Sequence, residues 1–253
     1  MIDKSIILVG NGSILKNQKL GHKIDEFDEI IRINDWKTRG FEDIAGTKTT
    51  IWGMYNPEKC GNRFLDGYKA LGYDLNQMKD IVKDINEIWY ICWNPENLLE
   101  NWKKNNNIKE LGIYSKTKRH LSMQVSKKIR KIIDPPGTGF TLIWILTHMY
   151  DKIYLAGFDF GGILYPESKN IHYFGNKTRE QVEKTNIHNL KFEQEYINKL
   201  LEEEKIIYLT EEIQVLKSKQ LEIPTYWMCN SCGKEIYRYS WESLICNYCE
   251  SNL

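Results

Sequence analysis

In the stretch KTNIHNLKFEQEYINKLL, residues 184 to 201, a histidine stands at the mouth of an amphipathic helical pattern and a glutamate follows five residues later. An imidazole in that place either takes a proton from a substrate or serves as a polar group at a helix end. With Asn186 as the cap, His188 falls in the first helical turn, where the positive end of the dipole disfavours the imidazolium. The neutral ring can then accept a proton. Five residues turn an ideal helix by about 500 degrees, so Glu193 does not lie over His188 and is read as orienting a loop or a partner helix. His172, in the loop region upstream, is the second candidate for chemistry. His22, His120 and His148 are assigned none; His148, on an apolar helix, belongs to the core or its rim.

Two glycine turns come next. ILVGNGSIL is a strand entering a Gly-Asn-Gly turn, and DPPGTGF, residues 134 to 140, gives a breaker, small residues and the start of the helix FTLIWILTHMY. Turns of this kind offer backbone N–H groups to a phosphate. Leu15 occupies the place of the third glycine of the dinucleotide fingerprint, which argues against a nicotinamide or flavin. No Asp-x-Asp occurs in the chain. Either the protein does not use a metal-clamped nucleoside diphosphate sugar, or its donor needs less metal assistance, as a nucleoside monophosphate donor would.

Cys229, Cys232, Cys246 and Cys249 form two C-x-x-C pairs that enclose thirteen residues, among them EIYRYSWESLI, which is expected to form a β-hairpin. Four thiolates so spaced complete a tetrahedral structural zinc site of the ribbon type, and a segment this small needs the metal to fold. The site is closed, so it staples a module for protein or nucleic-acid contact and carries no catalysis. The other cysteines, Cys60 and Cys92, stand alone, a usage suited to a reducing compartment.

These residues need a scaffold. The apolar runs SIILVG, EIIRIN, TTIWGM, EIWYICW, KIYLAGF and KIIYLT alternate with helical stretches, which implies an α/β fold with a mostly parallel sheet covered by helices on both faces. Ligands of such sheets bind beyond the carboxyl ends of the strands. Aromatics that follow strands there, Trp36, Trp52, Tyr55, Trp89 and Trp93, are read first as core and second as platforms for a sugar or base. EEIQVLKSKQLEIPT is read as a last helix or linker. The formal net charge of +1 excludes bulk attraction to nucleic acid or membrane, but ten Lys or Arg and one acid, Glu110, lie between Lys103 and Lys131. That run is read as a solvated face. The longest apolar run is too short to cross a bilayer and MIDKSIILVG is no signal peptide, so no transmembrane segment and a cytoplasmic location are expected.

The order of the motifs resembles that of the family 29 glycosyltransferases, the eukaryotic-type sialyltransferases. ILVGNGSILKNQKLGHKIDEFDEIIRINDWKTRGFEDIAGTKTT looks like the family's long motif, and PPGTGFTLIWILTHMYDKIYLAGFDFGG resembles the short motif. HYFGN is similar to the third motif, and HNLKFE fits the very short motif, His followed by four residues and Glu. The resemblance covers roughly residues 5 to 210. It implies a Rossmann-like variant of the GT-A fold in a domain spanning 1–218, with linker and zinc ribbon in 219–253. It further implies a metal-independent inverting transfer of sialic acid or a related sugar from a CMP-activated donor to a glycan acceptor. By position it assigns His188 as catalytic base and sets His172 against the donor phosphate, where a histidine is pushed toward its protonated form. Donor binding falls to Asn11, Gly12, Ser13, Asn34, Gly137, Thr138, Gly139, Gly157, Phe158 and Tyr173.

Departures from the pattern qualify the sugar more than the nucleotide. The family's disulfide has no counterpart, since Ile6 or Ile7 and Tyr150 stand near those positions, and Gly137 replaces the serine of Pro-Ser-Thr-Gly. Gly175 replaces a frequent glutamate after the third-motif aromatics. Two rival readings remain: a degenerate nucleotide- or glycan-binding protein of the same fold, and a nucleic-acid factor using the ribbon and the basic stretch.

Overall fold

The structure is a computed structural model. It describes residues 3–91, 106–121, 123–160, 164, 166–175, 178, 180, 189–221, 225–228 and 235–238. Its strands are β1 (Ile6–Val9), β2 (Glu29–Ile33), β3 (Ile51–Met54), β4 (Glu87–Tyr90), β5 (Thr117–Leu121), β6 (Ile153–Ala156), β7 (Ile206–Tyr208), β8 (Thr225–Met228) and β9 (Glu235–Arg238). The helices are α1 (Leu15–Gln18), α2 (Gly21–Ile24), α3 (Glu42–Ala45), α4 (Pro57–Ala70), α5 (Leu75–Lys83), α6 (Asn106–Glu110), α7 (Ile113–Lys116), α8 (Met123–Arg130), α9 (Thr138–Met149) and α10 (Leu190–Glu202). Among the described residues no helix is long and apolar enough to cross a membrane.

The sheet runs β7-β6-β1-β2-β3-β4-β5-β8-β9. It is parallel from β7 to β5 and antiparallel at β5–β8 and β8–β9. Side chains alternate across the pleat, and the apolar runs are apolar on both faces because both faces are covered. Ile6 and Leu8 of β1 enter a core with Val125 and Ile129 of α8, Phe140 and Leu142 of α9, and Ile197 and Leu200 of α10. Ile7 and Val9 point the other way, onto Leu15 of α1, Ile24 of α2 and Ala45 of α3. Farther along that second face, Trp52, Met54 and Ile88 pack on Phe64 and Tyr68 of α4 and Val82 of α5. Burying each large side chain stabilises the fold by about 1.5–3 kcal/mol.

All six apolar runs became strands, and a further parallel strand arose where none was expected. β5, TKRHL, lies inside the basic stretch read as a solvated face. Lys118, Arg119 and His120 give it no apolar alternation, so its strand character comes from pairing with β4. Just upstream, Lys116 Nζ donates to the carbonyls of Lys83 and Ile85, at 2.7 and 2.5 Å, and closes the end of α5. Of the two readings of this segment, last helix or linker, residues 211–221 follow the linker. That segment lies along the start of β1, with Ser218 N donating to Lys4 O at 2.8 Å and Ser218 Oγ to Lys152 O at 2.6 Å. β9, the start of the expected hairpin segment EIYRYSWESLI, pairs with β8, and the rest of that segment lies outside the described residues. All four cysteines of the two pairs lie outside the described residues.

From β1 the chain builds one half of the sheet through β5, then returns to place β6 on the opposite side of β1. This reversal of strand order makes the carboxyl ends of β1 and β6 the topological switch point, where ligands of open α/β sheets bind.

Candidate active site at the strand carboxyl ends

The motif segments converge at that switch point. Gly10 N donates to Ala156 O and Gly12 N to Gly157 O, both at 2.8 Å, which locks the Gly-Asn-Gly turn onto the end of β6. An ideal Cβ on Gly12 would stand 2.5 Å from Gly157 O, and Gly157 itself has φ +70, so both glycines are needed for the approach. The His172 segment closes the other side: Gly12 and His172 form an antiparallel bridge, Ser13 N donates to Ile171 O at 3.1 Å, and Tyr173 N to Asn11 O at 3.0 Å. These bonds correct one expectation. The amides of Gly12 and Ser13 are committed to backbone carbonyls and are not held open for a phosphate.

The two asparagines are set in opposite senses. Asn11 Nδ2 donates to the carbonyls of Ile33 and Asp35, at 3.1 and 3.3 Å, which turns its Oδ1 into the available atom. Asn34, in the left-handed region at φ 52, accepts at Oδ1 from Tyr55 N at 3.3 Å and from the Cys60 thiol at 3.7 Å. Its Nδ2 is left to donate. Cys60 is buried, and desolvation pushes its thiol up to about 12, so it holds Asn34 as an inert neighbour.

α9 delivers the second glycine turn. Gly137 is its N-cap, with Thr138 and Gly139 in the first turn, where the amides have no partner within the helix. Gly139 sits over Phe158 and Ile33, at 2.8 and 3.7 Å from an ideal Cβ. Gly137 N donates at 3.0 Å to Oε1 of Glu193, which reaches across from α10. Glu193 therefore orients a loop, as its place on the helix implied. Burial pushes its carboxyl up to about 7 against the opposing pull of the Gly137 amide. The serine of the family pattern would bring a Cβ to 2.8 Å from that carboxylate, which gives the glycine a local reason.

Three of the residues assigned to donor binding turn out to be framed by the fold. Ser13 is fully buried and its hydroxyl donates at 3.2 Å to Asp159, which also accepts from Ile14 N at 3.4 Å. Tyr173 is buried, accepts from Lys37 N at 3.2 Å and donates to Lys37 O, and desolvation raises its phenol to about 12. Gly157 is the hinge of the turn just described. Asp159, Lys37 and Tyr68, whose phenol accepts from Thr38 N at 3.2 Å, take part in this frame and were not singled out in the sequence, because lone residues in loops and on helices carry no spacing signal.

His172 is half-buried, with its ring 5.5 Å from that of Phe174. His188 lies outside the described residues, as does Asn186. The cap of α10 is Asn189, whose Oδ1 accepts from Phe192 N at 3.2 Å, and not Asn186. The helix therefore starts at Leu190, which follows His188 in the sequence by two residues. Trp36, Trp52 and Trp89 are buried core, Tyr55 packs against the cluster that holds Trp36 and Trp52, and Trp93 is outside the described residues. His22 is an exposed partner of Glu211 at 3.2 Å, and His148 stacks on Trp144 at the rim.

Fold and site together define an α/β protein in which glycine turns and two oppositely committed asparagines meet at the reversal of strand order. The chain belongs to glycosyltransferase family 29 (sialyltransferase), whose family model matches residues 4–205. It is 30% identical over 225 residues to a type 2 lactosamine alpha-2,3-sialyltransferase of Mus musculus, covering 82% of this chain and 65% of the relative. A CMP-N-acetylneuraminate-beta-galactosamide-alpha-2,3-sialyltransferase 4 of Homo sapiens is 28% identical, covering 81% of this chain and 63% of its own. The chain thus spans just under two thirds of these relatives. A crystal structure of a mammalian sialyltransferase superposes with a TM-score of 0.52 at 21% identity over 82% of this chain and 69% of the other. One in complex with Gal-beta-1-3GalNAc-ortho-nitrophenol gives 0.50 at 18% identity over 82% and 70%. These likenesses establish the fold.

Proposed function

We propose that the protein is a metal-independent inverting glycosyltransferase that moves sialic acid, or a related sugar, from a CMP-activated donor to a hydroxyl of a glycan acceptor. The observation that carries this reading is the meeting of Asn11, Asn34, the Gly137–Gly139 turn and His172 at one switch point, in a chain of this family. Asn34 Nδ2 and the amides of Thr138 and Gly139 are donors suited to phosphate and sugar oxygens, and Asn11 Oδ1 is an acceptor suited to an amine or hydroxyl. In the transfer, the bond between the sugar and the CMP phosphate breaks through an oxocarbenium-like state while the acceptor oxygen attacks the opposite face. His188 takes the acceptor proton, and His172 offsets the charge gathering on the phosphate. The relatives' names point to an α-2,3 linkage on a lactosamine or beta-galactosamide acceptor.

Melting of the protein with CMP, set against UMP, AMP and NAD, tests the donor site, since a ligand at a hundred times its dissociation constant stabilises by about 2.7 kcal/mol. Stabilisation by CMP alone is expected, and a galactoside acceptor should then be sialylated from CMP-sialic acid. Loss of transfer in His188→Ala with CMP binding kept assigns the base; transfer that survives the substitution removes His188 from the mechanism.

The four C-terminal cysteines are proposed to hold structural zinc. The support is the spacing of the two C-x-x-C pairs in the sequence, since the four cysteines lie outside the described residues. Cys246 and Cys249 would complete the set, and a partner of the protein would dock on this module.

A further inference from the structure

The loop after β2 carries a lysine that no motif marks. Tyr173 grips Lys37 at both its amide and its carbonyl, and the neighbouring Thr38 amide is bound by Tyr68 of α4. Two buried phenols thus fix successive residues, so the Lys37 side chain leaves from a rigid point. It runs across Gly67 in the interior of α4, where an ideal Cβ would stand 2.6 Å from Lys37 Cε and 2.9 Å from Nζ. Glycine inside a helix costs about 1 kcal/mol relative to alanine. At Gly67 its lack of a side chain opens a groove that the lysine fills. The ammonium ends 5.1 Å above the ring of Phe174, whose ring also lies 5.5 Å from that of His172.

Among the described residues the charges around it do not cancel. Asp35 is the loop's acid, and Arg63, one turn before Gly67 on α4, already reaches it at 3.7 Å. Asp35 pulls on Lys37 through space, yet among the described residues the ammonium makes no hydrogen bond or ion pair. Among the described residues, Asp35 faces both Arg63 and Lys37, two cations to one carboxylate. Burial of the lysine, which lowers its pKa more than Asp35 raises it, has removed part of its water. A partly desolvated, fixed ammonium whose partner among the described residues is an aromatic face gains more from an anion than a solvated surface lysine does.

We propose that Lys37 is an anion-binding residue of the candidate site, pairing with a phosphate or carboxylate of the bound substrate beside His172. This rests on reading the site as one for a sugar nucleotide. Phosphate would come from the nucleotide, and carboxylate from the transferred sugar or from an acidic acceptor.

The test uses the full chain as wild type, Lys37→Met and Lys37→Arg, titrated with inorganic phosphate, CMP and CMP-sialic acid, with KM measured for neutral and acidic acceptors. Lys37→Met should weaken at least one of these at least tenfold, with Lys37→Arg recovering most of the loss and wild type showing the steeper dependence on salt. A loss shared by phosphate and CMP assigns the nucleotide; a loss confined to CMP-sialic acid assigns the sugar carboxylate; a rise in KM for acidic acceptors alone assigns the acceptor. Gly67→Ala, which keeps the lysine and fills its groove, should weaken the same ligand and covers the case in which Lys37→Met folds poorly. Affinities and KM values unchanged across both Lys37→Met and Gly67→Ala overturn the proposal. Wild type that binds phosphate through Lys37 but no cytidine nucleotide keeps the anion site and discards the donor reading. Wild type that binds CMP as well as Lys37→Met does, with every other ligand also unchanged, has the reverse meaning.

Discussion

At Glu193 a carboxyl with an ordinary value of 4.5 is carried to about 7, because burial strips water from its charged form and the Gly137 amide returns only part of that loss. Folding therefore favours the protonated acid. Below about pH 4.5 both folded and unfolded chains are protonated and the group has no effect. Between 4.5 and 7 the folded chain holds a proton that the unfolded chain has released, so stability falls as pH rises, by on the order of 3 kcal/mol in full. Asp28 acts in a lower window with the opposite sign. Burial opposes its ionisation, but hydrogen bonds from Lys217 and Ser5 prevail and lower it to about 2, so its contribution is present above pH 4 and lost on acidification toward 2. Glu193→Gln should flatten the decline between pH 5 and 7 in denaturant titrations and raise stability at pH 8, since the amide oxygen still accepts from Gly137 N. Glu193→Ala leaves that buried N–H without an acceptor and should cost about 1–3 kcal/mol at pH 5, where the wild-type acid is neutral. Equal pH profiles for wild type and Glu193→Gln would show that the carboxyl titrates normally.

At the scale of elements, the crossing of the β1 and β6 turns is closed by backbone against backbone. Gly12 faces Gly157 O and the Asp159 carboxylate, neither of which is the free end of a flexible chain. Gly12→Ala should lower stability by about 1–3 kcal/mol, as overpacked sites do, and loosen the pairing of Gly12 with His172. Gly72 has φ +86 and open space around it, so Gly72→Ala carries only the backbone strain, about 1–2 kcal/mol, and should leave ligand binding intact. Calorimetric melting and CMP titration of the pair separate the two effects. The apolar runs announced their strands in the sequence because both sheet faces are covered, and the two glycine turns announced themselves by their breakers. β5 did not, since a strand rich in Lys, Arg and His is made by its neighbours. The cap of α10 was misplaced because Asn186 and Asn189 are equally good by type, and only the Phe192 amide distinguishes them. Ser13 and Tyr173 were read as donor contacts, and nothing in a linear sequence shows that Asp159 and the Lys37 carbonyl would take up their hydroxyls.

Over the whole molecule, the sheet's centre and its edge are held by different means. β1 to β4 and β6 have cores on their faces, built from helices that lie before β5 or between β5 and β7 in the chain. β8 joins through the register pairs His120↔Met228 and Leu121↔Trp227 and, among the described residues, continues only into β9. So short an edge hairpin has marginal stability without further covalent or metal support. If Cys229, Cys232, Cys246 and Cys249 bind zinc, the metal supplies that support and its removal should be a local event. Metal analysis of protein purified without chelator should give one zinc per chain, and the double substitution Cys229→Ser with Cys232→Ser should abolish it. Stripping the zinc should release amide protection in β8 and β9 while β1 to β4 exchange as before, and CMP binding should persist because no residue of the switch-point site lies beyond Glu193. A zinc-free protein with the hairpin protected would remove the metal from the account, and loss of protection throughout the sheet would show that β8 is integral to the main fold.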